Sequence, residues 1–363
     1  MKRYILIIFS FLFCCFFLGS IEFFEGYHSS LSSSGYSVES LLGLKYTKKS
    51  KWYENYFHEA QFPAEGMTIF TNVIFSNTAT ESKGCKVNVI ITFADRQKYT
   101  LNVDYDTERI IVAESGFSIK FDNENYIKLN GNNYLCRIKN RDISLELDYK
   151  IVNPPFVFGN GKVLIDSKKL LVYSQPVAGA EVSAKLIYRG QEFLLNGRGS
   201  VDHDFNLIPP KNNPTQWRSF WLYNENYTVI MHTFIYRKKT QIDRILVYKN
   251  GRLYKHFINT GMEYGSRYFD EKTGFTYPKK YLVNYTDGEG DNINMSVSYN
   301  STTDIICVFD NLSPALHRIV AAFVGEMWAY RFWADAEISL TIDGKSESFT
   351  INGLGNYIDT TKN

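Results

Sequence analysis

Apolar and polar side chains alternate with a period of two along almost the whole chain after Trp52, and this pattern restricts the fold more than any other feature. The segments "MTIFTNVIFSN" (67–77), "KVNVIITFA" (86–94), "ISLELDYKIV" (143–152), "KVLIDSKKLLVYS" (162–174) and "EVSAKLIYRGQEFLLNGRG" (181–199) are rich in Val, Ile, Tyr, Phe and Thr. Gly, Asn and Pro punctuate them, as in antiparallel meanders. The loop "NLIPPKNNPTQ" (206–216) breaks the run, because three prolines in so short a stretch cannot lie in a central strand. A domain boundary is placed there. A second series of strands follows: "WRSFWLYNEN" (217–226), "YTVIMHTFIYRK" (227–238), "DRILVYKNGRLYKHF" (243–257), "KKYLVNYT" (279–286), "NINMSVSYN" (292–300), "TDIICVFD" (303–310) and "AEISLTIDGKSESFTINGLG" (336–355). "YKNGRLYK" and "YNENYT" contain hairpin turns.

One segment departs from the pattern. "SPALHRIVAAFVGEMWAYRFW" (313–333) opens with a Ser cap and a Pro at the first helical position, and Ile319, Val320, Phe323 and Met327 follow near helical spacing. It predicts a single helix of about three turns ending near Tyr330. The expected architecture is all-β: two tandem antiparallel barrels, residues 45–208 and 209–358, with one short helix in the second. No internal repeat is strong enough to claim from identity. Barrels of this kind hold ligands in the mouth or in the seam between domains.

The first residues differ in kind. Met1-Lys2-Arg3 precedes an almost wholly apolar run, Tyr4 to Gly19, which reads as a signal peptide or membrane anchor over 1–20. Cys14 and Cys15 lie inside it, without a convincing lipidation signal. A polar, Ser-rich linker is expected over 21–44. These features place the protein in the secretory pathway or outside the cytoplasm, held at a membrane surface. The remaining cysteines, Cys85, Cys136 and Cys307, form neither a disulfide framework nor a zinc pattern and read as buried thiols. Forty basic and 38 acidic residues give a net charge of +2, with no clustered basic face to bind nucleic acid.

"LNGRGSVDHDFNLIPP" (195–210) concentrates the chemistry by setting Asp202, His203 and Asp204 side by side. On a strand, Asp202 and Asp204 share one face and His203 shares the other with Val201 and Phe205. The three therefore cannot chelate one ion, and the other histidines show no ligand spacing. His203 reads as a buried, hydrogen-bonded residue near the domain corner; a catalytic or ligand-polarising role is the alternative. Gly197 and Gly199 read as a bend or bulge, since no helix follows them to make a phosphate loop. "WYENYFHEAQF" (52–62) sets Glu54, His58 and Glu59 among aromatics; on a strand Glu54 and His58 share a face but lie far apart, and an aromatic barrel edge is expected, with a site role the alternative. Nucleophile elbows, zinc-protease motifs and dinucleotide fingerprints are missing from the sequence.

The order of "VYSQPVAGAEVSAKLIYRGQEFLLNGRGSVDHDF", "QWRSFWLYNENYTVIMHTFIYR", "FTYPKKYLV" and "HRIVAAFVGEMWAYRFWADAEISLTIDG" resembles the two-domain lipocalin-like superfamily, which includes carotenoid hydratases, fungal Diels–Alderases and the fungal survival-factor proteins. The last branch is the most similar, over about residues 45–355. The resemblance implies paired calycin-type barrels with an apolar pocket near the domain seam. It also implies a ceramide-like or other sphingolipid cargo, bound without catalysis and linked to stress survival. The hydratase branch implies instead an acid that protonates an isoprenoid or polyene, with Asp202 or Asp204 as the matching residue.

The expected function is therefore binding or transfer of a hydrophobic lipid in a seam cavity lined by Phe, Tyr and Trp, with no cofactor and no metal. Trp217, Trp221 and Tyr236 are expected to wall the ligand, with His203, Arg218 and His232 orienting its headgroup. The alternative is a hydratase or cyclase with an Asp general acid.

Overall fold

The computed structural model describes residues 36–44, 53–76, 84–157, 163–164, 170–206, 216–235, 241–258, 260–271, 273–307, 318 and 328–359. The leader and Tyr236 lie outside the described residues.

Two large antiparallel sheets account for most of the fold. The first is built from β1 (Tyr53–Phe62), β2 (Met67–Ser76), β3 (Gly84–Thr92), β4 (Lys98–Tyr105), β5 (Ile111–Val112), β6 (Ser118–Lys120), β7 (Tyr126–Asn130), β8 (Asn133–Lys139), β9 (Ile143–Ile151), β10 (Phe156–Val157), β11 (Val163–Leu164), β12 (Leu170–Tyr188) and β13 (Gln191–Asn206). The second contains β14 (Gln216–Tyr223), β15 (Tyr227–Ile235), β16 (Gln241–Lys249), β17 (Arg252–Ile258) and β18 (Glu263–Tyr264). A small hairpin, β19 (Arg267–Asp270) and β20 (Phe275–Pro278), interrupts it, and β21 (Lys280–Thr286), β22 (Asn292–Cys307), β23 (Trp328–Ile342) and β24 (Lys345–Asp359) complete it. The expected all-β pair of lipocalin-like barrels is therefore what forms, each sheet curling into a half-barrel.

Both half-barrels follow one plan. The first has strand order β4-β3-β2-β1-β13-β12-β9-β8-β7-β6-β5, and the second β17-β16-β15-β14-β24-β23-β22-β21-β18. In each, four meandering strands lead back to the domain's last strand. That last strand carries Asn-Gly-x-Gly in both: Asn196-Gly197-Arg198-Gly199 and Asn352-Gly353-Leu354-Gly355. Gly197 and Gly353 do the same job, since a Cβ at either would fall 2.0 Å from a carbonyl oxygen, that of Gln61 or of Trp221. Only glycine allows the first and last strands to approach so closely. The close approach aligns Gln61 with Trp221, and hence His58 with Arg218. Identity alone conceals this repeat; the strand order reveals it.

The turn between β16 and β17 has Asn250 and Gly251 at φ 51° and 74°, the two positive values a tight hairpin needs. The expected helix at 313–333 falls mostly outside the described residues, but from Trp328 onward the chain is strand β23, so Trp328 to Tyr330 are not helical. The backbone there pairs with both β22 and β24, and those ladders override the local helical spacing. Near the start, within the expected linker, Val38–Leu42 forms a short helix, α1, capped by reciprocal Ser37 and Ser40 hydrogen bonds. Its Leu41 and Leu42 are buried, and the Leu42 carbonyl accepts from the Tyr56 hydroxyl at 2.8 Å. Cys85, Cys136 and Cys307 are free and buried, as expected.

Each half-barrel encloses its own apolar core, and a third cluster lies between them, including Phe156, Tyr173, Ala178, Trp221, Ile230 and Phe234. Polar contacts also cross this seam. Gln61 Nε2 donates to the Trp221 carbonyl at 3.2 Å, Lys98 pairs with Asp304 at 2.8 Å, and the Arg331 guanidinium lies 3.8 Å from the Phe70 ring centre.

Candidate functional site

Period-two alternation on β1 and β13 sorts the chemistry of the first half-barrel. Tyr56, His58, Ala60, Val201 and His203 turn inward, while Phe57, Glu59, Gln61, Ser200 and Asp202 turn toward the second half-barrel. Asp202 and His203 therefore belong to different compartments.

Inside, His203 is buried and bonded at both ring nitrogens. Its ring stacks on Tyr56 at 4.3 Å, Nε2 meets Glu54 Oε1 at 2.8 Å, and Nδ1 bonds the Leu41 carbonyl of α1. Glu54 thus partners His203 rather than His58. His58 bonds the Tyr134 hydroxyl at 2.6 Å and the Thr71 carbonyl at 2.9 Å, and burial lowers its pKa to about 4.

On the seam face lie two carboxyls with little charge compensation. Asp202 accepts from the Tyr173 hydroxyl at 2.6 Å and from Gln175 Nε2 at 2.5 Å. Glu59 accepts from Gln61 at 2.8 Å and Ser200 at 3.2 Å. Burial is the largest influence on both. It pushes Glu59 up to about 8, with Gln61 pulling down and the Asp202 charge pushing up. It pushes Asp202 up to about 7 against the Tyr173 and Gln175 hydrogen bonds. Near neutral pH Glu59 is mostly protonated and Asp202 about half so, and each can then donate a hydrogen bond as well as accept. Asp204 shares their strand face and accepts from Asn55 Nδ2 at 2.9 Å.

The second half-barrel brings an aromatic wall to the same seam. Trp217 and Trp221 sit two residues apart from Ser219 on one face of β14, and β15 adds His232 and Phe234. Tyr173 meets Trp217, His232 and Phe234 at ring distances of 6.4, 5.6 and 6.1 Å. Burial lowers the His232 pKa to about 3, leaving a neutral ring whose Nδ1 is 2.9 Å from Ser219 Oγ. Among the described residues, the buried polar atoms here without a hydrogen-bond partner include Trp221 Nε1 from the second half-barrel and Gln175 Oε1 from the first.

The structure thus gathers Asp202, Trp217, Trp221 and His232 at the seam, and separates Arg218 and His203 from them. Arg218 points into the second half-barrel because it alternates with Trp217 on β14. Tyr173 and Gln175 are additions that sequence reasoning missed, and Glu59, read first as part of an aromatic barrel edge, joins them. For Glu59 the signal was available, because it follows His58 and so faces the opposite side of the strand.

The seam is closely packed where the aromatics meet. Two open clefts are also described. One, of about 570 Å³, lies on the outer face of the first half-barrel by Lys150, Glu181 and Arg198. The other, of about 400 Å³, lies between the domains and is lined by Phe93, Arg96, Thr302 and Trp333, among others. Among the described residues, the carboxylates that approach closely enough to share a metal are Asp287, Glu289 and Asp291, and the Lys255 ammonium already pairs with all three.

Solved structures share this architecture. A crystal structure of CghA with Sch210972 aligns with TM-score 0.61 at 10% identity, covering 86% of this chain and 89% of that one. Kievitone hydratase from Nectria haematococca aligns with TM-score 0.55 at 10% identity over 95% of both chains. A putative AttH from Nitrosomonas europaea gives 0.57 at 12% identity, covering 90% of this chain and 98% of that one. Identities this low establish the fold and nothing finer. No curated protein sequence matches the chain. The model of the Svf1 family matches residues 54–361, nearly the whole described structure, and the chain belongs to that family.

Proposed function

We propose that this protein binds a hydrophobic molecule with a neutral, hydrogen-bonding head at the seam between its half-barrels, without transforming it. A two-chain amide lipid of the ceramide type fits this description. One observation carries the reading: Trp221 Nε1 and Gln175 Oε1 are a buried donor and a buried acceptor without partners, contributed from opposite sides of an aromatic seam. Leaving such groups unmet costs about 1–3 kcal/mol each, and an amide or hydroxyl head would satisfy both. Protonated Glu59 and Asp202 favour a neutral head over an anionic one. The apolar leader would hold the protein at a secretory membrane, where such a lipid is found.

Acid catalysis is the second reading, favoured by the raised pKa and missing basic partner of Asp202. In it, Asp202 would protonate an alkene of an isoprenoid or polyene. Native mass spectrometry of the full chain, purified from membranes in a mild non-ionic detergent, separates the two. A stoichiometric two-chain lipid lost in Trp221→Phe supports binding. A bound polyene that is converted by the wild type and not by Asp202→Asn supports catalysis. Protein that stays empty and shows no saturable lipid uptake would refute the binding reading.

A further inference from the structure

The interior of the second half-barrel poses a separate problem. Arg218 is 2% exposed there, yet forms no ion pair among the described residues. Its guanidinium lies 4.4 Å from the Tyr264 ring centre and 5.8 Å from that of Tyr357. One nitrogen donates to Gln216 Oε1, and Nε has no partner. Compensation is indirect. Gln216 and the Tyr357 hydroxyl both bond Asp359, at 2.9 and 2.8 Å, and Asp243 acts only through space. A buried charge without a direct counter-charge is costly, and a bound anion would offset that cost.

The equivalent position in the first half-barrel shows that the fold does not require such a charge. His58 stands there, neutral and bonded at both ring nitrogens. The surroundings of Arg218 also lead outward. Tyr264 lies on the edge strand β18, which does not pair with the other edge, β17. Exposed Arg267 covers the Tyr264 ring at 5.0 Å, so the tyrosine stands between a buried and a surface guanidinium.

We propose that the second half-barrel holds an oxyanion site distinct from the seam, in which Arg218 receives the carboxylate or phosphate of an amphiphile entering past Tyr264 and Arg267. A guanidinium donates to either oxyanion through paired N–H groups, and in a dry interior such bonds are about twice as strong as neutral ones. The hydroxyls of Tyr281 and Tyr299, buried beside Arg218, supply further donors. The site does not depend on the seam reading, because β14 separates the two compartments.

The test uses the full chain in dodecyl maltoside, a neutral amphiphile of the same chain length, titrated with dodecyl phosphate, dodecanoate and inorganic phosphate. Dodecyl phosphate or dodecanoate is expected to bind saturably and raise Tm. Arg218→Met is expected to abolish that anion-dependent shift, leaving only the response to neutral detergent. Arg218→Lys and Tyr264→Ala guard against a folding defect, and each is expected to cost about tenfold in anion affinity. Inorganic phosphate acting as strongly as dodecyl phosphate would make the natural ligand a free anion instead of a lipid head. Anion binding that survives Arg218→Met, or unchanged affinity in both guard variants, overturns the proposal.

Discussion

The two half-barrels share a strand order and a close-approach glycine, yet they finish their interiors in opposite ways. The first satisfies its two interior imidazoles internally: His58 with Tyr134 and Thr71, His203 with Glu54 and the α1 carbonyl. The second leaves Arg218 short of a counter-charge among the described residues, enclosed by tyrosines. At the positions that face the seam, the first half-barrel offers Glu59 where the second offers Ser219. One backbone plan therefore carries a self-contained barrel and a barrel with an unmet charge, and the seam draws acids from one and aromatics from the other. Strand pairing dictates where side chains point; the identity at each equivalent point dictates the chemistry.

The largest expected effect tests the equivalence itself. Gly197→Ala and Gly353→Ala should each destabilise their half-barrel by about 3 kcal/mol, since either methyl would force two backbones apart. Urea unfolding of both variants measures this, and a tolerated alanine at one site only would break the alignment of His58 with Arg218.

Next comes the internal satisfaction of the first half-barrel. His203→Ala removes the contacts that hold α1 and deprives Glu54 of its imidazole partner, and is expected to cost about 2–3 kcal/mol. Limited proteolysis should then cleave near residues 36–44, a segment expected to resist in the wild type. Persistent protection would mean that Leu41 and Leu42 alone secure the helix.

The seam acids predict a pH dependence. Glu59 and Asp202 are raised from 4.5 and 3.8 to about 8 and 7, so their protonated forms favour the folded state. Stability from them is complete below the ordinary carboxyl range and declines as pH rises toward 7–8. The buried histidines act oppositely, losing stability as pH falls below 6.5. Between pH 6.5 and 8 the acids dominate, and the wild type should lose about 1–2 kcal/mol. The double variant Glu59→Gln, Asp202→Asn should flatten that slope. A slope that remains would move its origin away from the seam.

The smallest effect is at the seam's edge. Lys98→Ala should cost about 0.5–1 kcal/mol, because Asp304 keeps Arg331 as a second partner. Thermal unfolding that splits into two transitions would show that this bridge couples the half-barrels more strongly than its exposure suggests.

The alternation that identifies these strands also fixes which neighbours part company. It places Asp202 and His203 on opposite faces, and it equally parts Arg218 from Trp217 and Trp221, which the functional expectation had grouped together. The Asn-Gly-x-Gly pair stands in the sequence, but four residues repeated once carry no weight until their strands occupy equivalent places. The helical spacing at 313–333 misleads for Trp328 to Tyr330 because ladder bonds to two neighbouring strands outweigh a local preference.

By itself the sequence determined many of the long strands, the all-β class, the buried thiols and the face each side chain of those strands would take. These follow from local periodicity and need no knowledge of partners. Only the tertiary structure decided that Glu59, Asp202, Tyr173 and Trp221 come together at the seam, and that Arg218 is enclosed without a counter-charge among the described residues. Those facts depend on which sheets pack together and how much water they exclude, and both are set by contacts far apart in the chain.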